Sequence, residues 1–273
     1  MKKRKLKKSI KKGILYIFLI ITIFIIIFCI FKIIMWAQDN KKTSEITKDI
    51  NDNVTITNSD EEIIDIVNPD TLEEDPIWSY DSSLVKNVDL SKLYSINSDT
   101  VGWIIVQNTK INYPVVQTNN NDFYLNHSFD KKKNGAGWVF MDYRNNFTNM
   151  DKNTIIYAHG RMDYTMFGSL RKTLNSNWYN NPENYVINLS TEKYNSLWQI
   201  FSLYKIPTTS DYLQINFSSD EEYLNWLNML KDRSIYDFKT TITSDNKIIS
   251  LSTCYNDDEK LVVHAKLIKI QNK

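Results

Sequence analysis

Few residues in this 273-residue chain can do nucleophilic or acid–base work, and the scarcest are two cysteines and three histidines. Cys29 lies inside a long apolar run, which leaves Cys254 as the one thiol outside it. A disulfide within the chain is therefore excluded, and Cys254 is a pairing partner, a small buried hydrophobe or a nucleophile. It ends the run IISLSTC, an apolar strand that turns polar at its tip. A nucleophile at a strand end is rigidly held and still reachable. Ser252 and Thr253 just before it suit substrate contact. A thiol nucleophile needs an acid/base partner. His159 ends a similar run, NTIIYAH, before Gly160, so it also sits where a strand meets a loop. His264 lies within LVVHAKL and reads as a strand residue facing one side. His127, in YLNHSFDKKKN, reads as a solvated surface residue. Spacing alone does not choose the histidine that approaches Cys254. Three scattered histidines make a poor metal site, and nothing in the sequence points to a cofactor.

The elements that must position these residues are mostly strands. Apolar, β-branched runs separated by turn residues occupy 101–106, 111–116, 137–141, 154–157, 185–189, 197–206, 248–252 and 261–270. Eight short strands predict an all-β closed barrel or a sandwich. Helices are added to it. Leu90, Leu93 and Ile96 suit a short one, and 165–174 another. The clearest is 218–233: Ser218 or Ser219 caps it, Glu221 or Glu222 follows three residues on, and Tyr223, Leu224, Trp226, Leu227 and Leu230 form its apolar face. Asp257, Asp258 and Glu259 read as a solvated loop.

The net charge of +1 hides an asymmetry. Residues 2–12 carry eight Lys/Arg and no acid, and without them 25 basic residues face 32 acidic ones, or −7. That balance argues against nucleic-acid binding by the main domain. The basic cluster precedes an uncharged apolar run over 13–31, extended past Lys32 to Trp36. About 20 apolar residues cross a bilayer as a helix, and flanking Lys/Arg stay cytoplasmic. A cleaved signal peptide has a shorter apolar core and an A-x-A-like site, so the expectation is an uncleaved single-pass anchor. The N-terminus would then be cytoplasmic and the rest of the chain extracellular. Four parts follow: a basic tail at 1–12, an anchor at 13–36, a polar stalk at 37–77 and a folded domain at 78–273, opening at Trp78. The stalk, rich in Asp, Glu, Asn, Thr and Ser, reads as solvated and partly disordered, with a short helix near Ile63, Ile64, Ile66 and Val67.

Over residues 90–270 the chain resembles the class B sortases, cysteine transpeptidases. NTIIYAHGRMDYTMFGSL matches the family's histidine motif and SLSTC its cysteine motif; GWIIVQNTKINYPVVQ and NNDFYLNHSFDKKKNGAGWVFMDYRN resemble the stretches before them, in order. The resemblance implies a closed eight-stranded barrel with N-terminal helices and a helix inserted between strands six and seven. It implies Cys254 as nucleophile and His159 as acid/base. Asn121, Leu125, Tyr157, Ser252 and Thr253 would line the substrate groove, and Tyr212 and Leu213 its wall. The substrates would be secreted proteins ending in an NPxTN- or LPxTG-like signal, and the acceptor a peptidoglycan cross-bridge amine or a pilin lysine. Class A relatives can use calcium, but no dedicated acidic cluster argues for it here.

One position departs from the pattern. Where sortases carry an arginine before the last strand, this chain has Lys260, in DDEKLVVHAKL, after a short loop. Lysine keeps the charge and loses the planar fork. Either Lys260 does the arginine's work, or Arg161, Arg171 or Arg233 reaches in, or the chain is a weakened relative; the first is the expectation adopted. Two competing functions share these residues: a tethered cysteine protease that only hydrolyses, and a noncatalytic binding module.

Overall fold

The computed structural model describes residues 2–58, 62–66, 81–146, 148, 150–256 and 258–273. They fall into two compact units, one up to Glu45 and the other from Ile46 to Lys273. Helix α1 (Lys2–Asn53) makes up the first and runs into the second. From Lys12 it is the one described helix long and apolar enough to cross a membrane, and that window has none of its surface buried.

The second unit is a β-barrel. Its strands are β1 (Ile56–Asn58), β2 (Ile64–Asp65), β3 (Lys86–Val88), β4 (Thr100–Val106), β5 (Asn112–Val116) and β6 (Phe140–Met141). They continue as β7 (Asn153–Tyr157), β8 (Val186–Ser190), β9 (Tyr194–Pro207), β10 (Ile248–Cys254) and β11 (Glu259–Asn272). The order β10-β7-β6-β5-β4-β8-β9-β11, with β10 also paired to β11, closes eight strands on themselves. Closure removes the unpaired edges that an open sheet would expose. Two neighbouring pairs, β5–β6 and β7–β10, run parallel; the others are antiparallel. The long strands β9 and β11 shift register after His264 and after Leu267, bulges that let them bend around the barrel.

Alternation along the strands sorts the faces. Ile249 and Leu251 of β10, Leu261, Val263 and Ala265 of β11 and Ile156 of β7 fill the main core with Trp103, Trp138 and Phe140. The intervening residues face the other side, where helix α4 lies. The helices before it are α2 (Ser91–Ile96) and α3 (Ser176–Tyr179); α4 is Asp220–Asp232, between the sixth and seventh barrel strands as expected. Ser219 Oγ caps it, accepting from Glu222 N at 3.1 Å, while the Glu222 carboxylate reaches back to Ser218 N at 2.7 Å. This is the reciprocal logic of a capping box. Tyr223, Leu227 and Leu230 pack with Phe201, Tyr204, Tyr212, Ile248 and Val262 in a second cluster. The helix expected over 165–174 is a 3-10 helix, Phe167–Leu174.

The solvated stalk is corrected in its described part. The helix runs on to Asn53, and β1 and β2 follow. Ile46, Ile50 and Val54, four apart, put one apolar stripe on the core, with Ile50 fully buried. The short helix expected around Ile63–Val67 is instead a strand at Ile64 and Asp65, paired with β11 beyond the start of β10. β-branched isoleucines suit that pairing, and Asp65 meets the buried Lys269 amine. Residues 67–77, Trp78 and Asp257 lie outside the described residues.

Candidate active site

Three neighbouring strands bring the chemistry together. Cys254 ends β10 and lies directly opposite Lys260, near the start of β11. Residues opposite each other across an antiparallel pair share a face. Lys260 Nζ accordingly donates to Cys254 Sγ at 3.0 Å. On the other side β7 runs parallel to β10, with Tyr157 beside Ser252. β7 ends at Tyr157, and His159 follows two residues on, just before Gly160. The two chains touch closely there: a Cβ on Gly160 would stand 1.8 Å from the Cys254 carbonyl oxygen, so only glycine fits. Thr253 Oγ1 ties the same strands by donating to the Ala158 carbonyl at 2.7 Å.

His159 is half-buried. Its Nε2 lies 2.6 Å from the Leu125 carbonyl. A carbonyl only accepts, so Nε2 carries the proton. Gly137, at φ +62°, brings the other side of the ring close: its Cβ would meet His159 Cδ2 at 3.0 Å and the Tyr124 carbonyl at 2.6 Å. Cys254 itself is exposed. The loop beyond it is held by Arg171, which donates to the Tyr255 carbonyl and lies over the Tyr255 ring at 4.4 Å, with Lys205 at 4.6 Å from the same ring.

The other two histidines are placed elsewhere. His127 is half-buried rather than free in solvent; it stacks on Phe123 at 4.0 Å and donates from Nδ1 to the Phe123 carbonyl. His264 is fully buried on the outward face of β11. Ser250 Oγ donates to Asn153 Oδ1, so it accepts from His264 Nδ1 at 2.7 Å, and Nε2 accepts from Tyr204 OH at 2.8 Å. Burial, with the Arg233 charge nearby, holds its pKa down to about 3. It is a neutral, fully bonded structural histidine.

None of the three alternative arginines binds at the thiol. Arg161 pairs with Asp163, Arg233 with Asp211, and Arg171 donates to the Tyr255 carbonyl. Among the described residues, Lys260 is the cation hydrogen-bonded to the thiol.

The expected groove residues separate into two groups. Leu125 is exposed, and Asn121, Tyr157 and Leu213 are half-buried. Tyr212, Ser252 and Thr253 are buried, and Tyr212 OH lies 2.9 Å from Ser252 Oγ. Their hydroxyls are used inside the protein, so they support the groove from behind and offer little surface to a substrate. Sequence reasoning missed Asp142. Its buried carboxylate accepts from Asn121 Nδ2 at 3.1 Å, Tyr157 OH at 2.9 Å and Arg144. Burial and the neighbouring anion push the Tyr157 phenol well above its ordinary value.

Residues 104–268 match the Sortase domain family, more than half of the chain. This chain belongs to the sortase family. It is 38% identical to the sortase B of Staphylococcus aureus over 183 residues, 65% of this chain and 74% of that protein. The crystal structure of sortase B from Bacillus anthracis in complex with AAEK1 superposes with a TM-score of 0.62 at 36% identity, covering 68% of this chain and 86% of that one. A Staphylococcus aureus sortase B–substrate complex gives 0.62 at 35%, covering 66% and 84%. The likeness is thus to class B sortases, with their closed barrel, and the protein is a sortase-type enzyme.

Proposed function

We propose that this sortase cleaves the C-terminal sorting signal of secreted proteins at a Thr–Asn or Thr–Gly bond and passes the acyl group to a cell-wall or pilin amine. The observation that carries this reading is the Lys260 ammonium 3.0 Å from Cys254 Sγ, beside the strand end that bears His159. The Cys254 thiolate attacks the threonine carbonyl carbon. The oxyanion formed there is two bonds from sulfur, within reach of a donor already at the sulfur, and Lys260 stabilises it. The imidazolium of His159 protonates the departing amine, leaving a thioester and a neutral imidazole. An incoming amine attacks the thioester, His159 takes its proton, and the thiolate is regenerated. Asn121, Leu125, Tyr157 and Leu213 would line the groove that holds the signal. The apolar part of α1 would hold the enzyme in the membrane, residues 2–12 on the cytoplasmic side and the barrel outside, where such substrates are presented.

The test uses the full chain in detergent with fluorogenic NPQTN- and LPxTG-type peptides, with and without an added amine such as triglycine. Turnover that is lost in Cys254→Ala and His159→Ala, reduced in Lys260→Ala and kept in Lys260→Arg is the expected result. Product diverted from acid to amide by the amine marks a transpeptidase; product that stays acid at every amine concentration marks a protease. No turnover of any peptide by folded wild type overturns the proposal.

A further inference from the structure

The Asp142 carboxylate gathers more hydrogen bonds than any catalytic side chain here. Oδ1 accepts from Arg144 N at 3.0 Å and Arg144 Nε at 2.8 Å. Oδ2 accepts from Arg144 Nη2 at 2.8 Å, Tyr157 OH at 2.9 Å and Asn121 Nδ2 at 3.1 Å. Arg144 Nη2 also donates to the Leu213 carbonyl at 3.2 Å. Asn121 is fixed at its other end, its Oδ1 accepting from Tyr143 N at 3.0 Å. Three separate parts of the proposed groove therefore converge on one ion pair: the turn that begins at Asn121 and ends at Leu125 and the tip of β7 at Tyr157 meet the Asp142 carboxylate, and the wall at Leu213 meets Arg144.

A buried carboxylate is a costly way to hold a fold together, since an apolar pair of the same size often does as well. What it supplies is direction: a carboxylate and a guanidinium fix several donors at set angles. Burial acts to raise the Asp142 pKa, but the hydrogen bonds from Arg144 and Tyr157 outweigh it and leave the carboxyl below its ordinary value. The anion persists under the groove. Its reach extends to the acid/base residue, because the turn held through Asn121 ends at Leu125, whose carbonyl binds His159.

We infer that Asp142 and Arg144 are positioning residues that set the width of the substrate groove, by tying the 121–125 turn, Tyr157 and the Leu213 wall to one ion pair. This deepens the proposed function, and its kinetic arm rests on that reading. Its exchange arm does not.

The experiment compares full-length wild type, Asp142→Asn and the milder Arg144→Lys in detergent. Lysine keeps the charge and loses the fork that reaches Leu213. Hydrogen–deuterium exchange is read over residues 119–126 and 208–216, and kcat and KM are read with an NPQTN-type peptide. Both segments should exchange about tenfold faster in either variant, the worth of one charge-assisted hydrogen bond, while β10 and β11 keep their protection. KM should rise about tenfold with kcat within about threefold, the pattern of lost binding geometry rather than lost chemistry. Unchanged exchange in both segments of Arg144→Lys overturns the inference. So does a uniform loss of protection with KM unchanged, which is what a purely structural ion pair gives. A wild type that turns over no peptide defeats the proposed function, and the exchange arm still decides the role of Asp142 and Arg144.

Discussion

His159 and His264 sit on strands of the same barrel and have opposite surroundings. His264 is sealed beneath α4, with both ring nitrogens engaged in a chain from Tyr204 through Ser250 to Asn153. His159 is half-buried at a strand tip and makes a single hydrogen bond among the described residues, to the Leu125 carbonyl. A histidine whose nitrogens are both committed out of water has none to offer a ligand, whereas one with a spare nitrogen does. Exposure and bonding, not residue type, set the two apart.

That contrast can be broken most forcefully at the open end of the barrel. Cys254→Ala should reduce peptide turnover to background, and His159→Ala should lower kcat/KM by about 10³-fold, in the range for a lost general acid/base. Thermal unfolding of both variants should stay within about 2 °C of wild type, because neither residue holds the core. Lys260→Ala comes next, at about 10²-fold in kcat, the scale of one oxyanion donor. Lys260→Arg should restore most of it, as read in the same peptide assay.

At the sealed end the expected effects are on stability. His264→Ala removes one hydrogen-bond partner from each of Tyr204 and Ser250 and opens a cavity, so it should cost about 3 kcal/mol in denaturant unfolding. kcat/KM per folded molecule should change by less than about threefold. The same burial also shows in the pH dependence. His264 has a pKa of about 3 in the fold against 6.5 ordinarily. Between those values the unfolded chain binds a proton that the folded one refuses, so stability falls as pH drops from 6.5 toward 3. The slope is about 1.4 kcal/mol per pH unit from this group, and it is absent above pH 6.5. A His264→Gln variant should show a correspondingly shallower acid limb; an unchanged limb would mean that His264 is not held neutral.

The strands were legible because β-branched runs between turn residues signal strands whatever their order. The inserted helix was legible through its cap and apolar face, and Lys260 through its place before the last strand. What stayed hidden depended on register. No spacing tells that residues 157 and 252 lie side by side, since β7 and β10 pair across about a hundred residues of intervening chain. The family resemblance, rather than the pattern, singled out His159. Helix through Asn53 was overlooked because the polar residues around Ile46 and Ile50 outweighed an apolar stripe only three residues deep. Asp142 and Arg144 stand in a polar loop sequence, DYRN, that reads as a solvated turn; nothing local announces that the aspartate is buried. Tyr212, expected in the groove wall, has its ring buried in the cluster under α4.

The parallel pairing of β7 with β10 also has a consequence for biosynthesis. Cys254, Lys260 and the segment that bears His159 meet only when the last two strands have docked, and such distant pairings form late and slowly. Until β11 closes against β10 and β9, a nascent chain holds Cys254 without Lys260 beside it. Under the proposed mechanism activity reports completion of the barrel, and a chain that stalls before closure is silent.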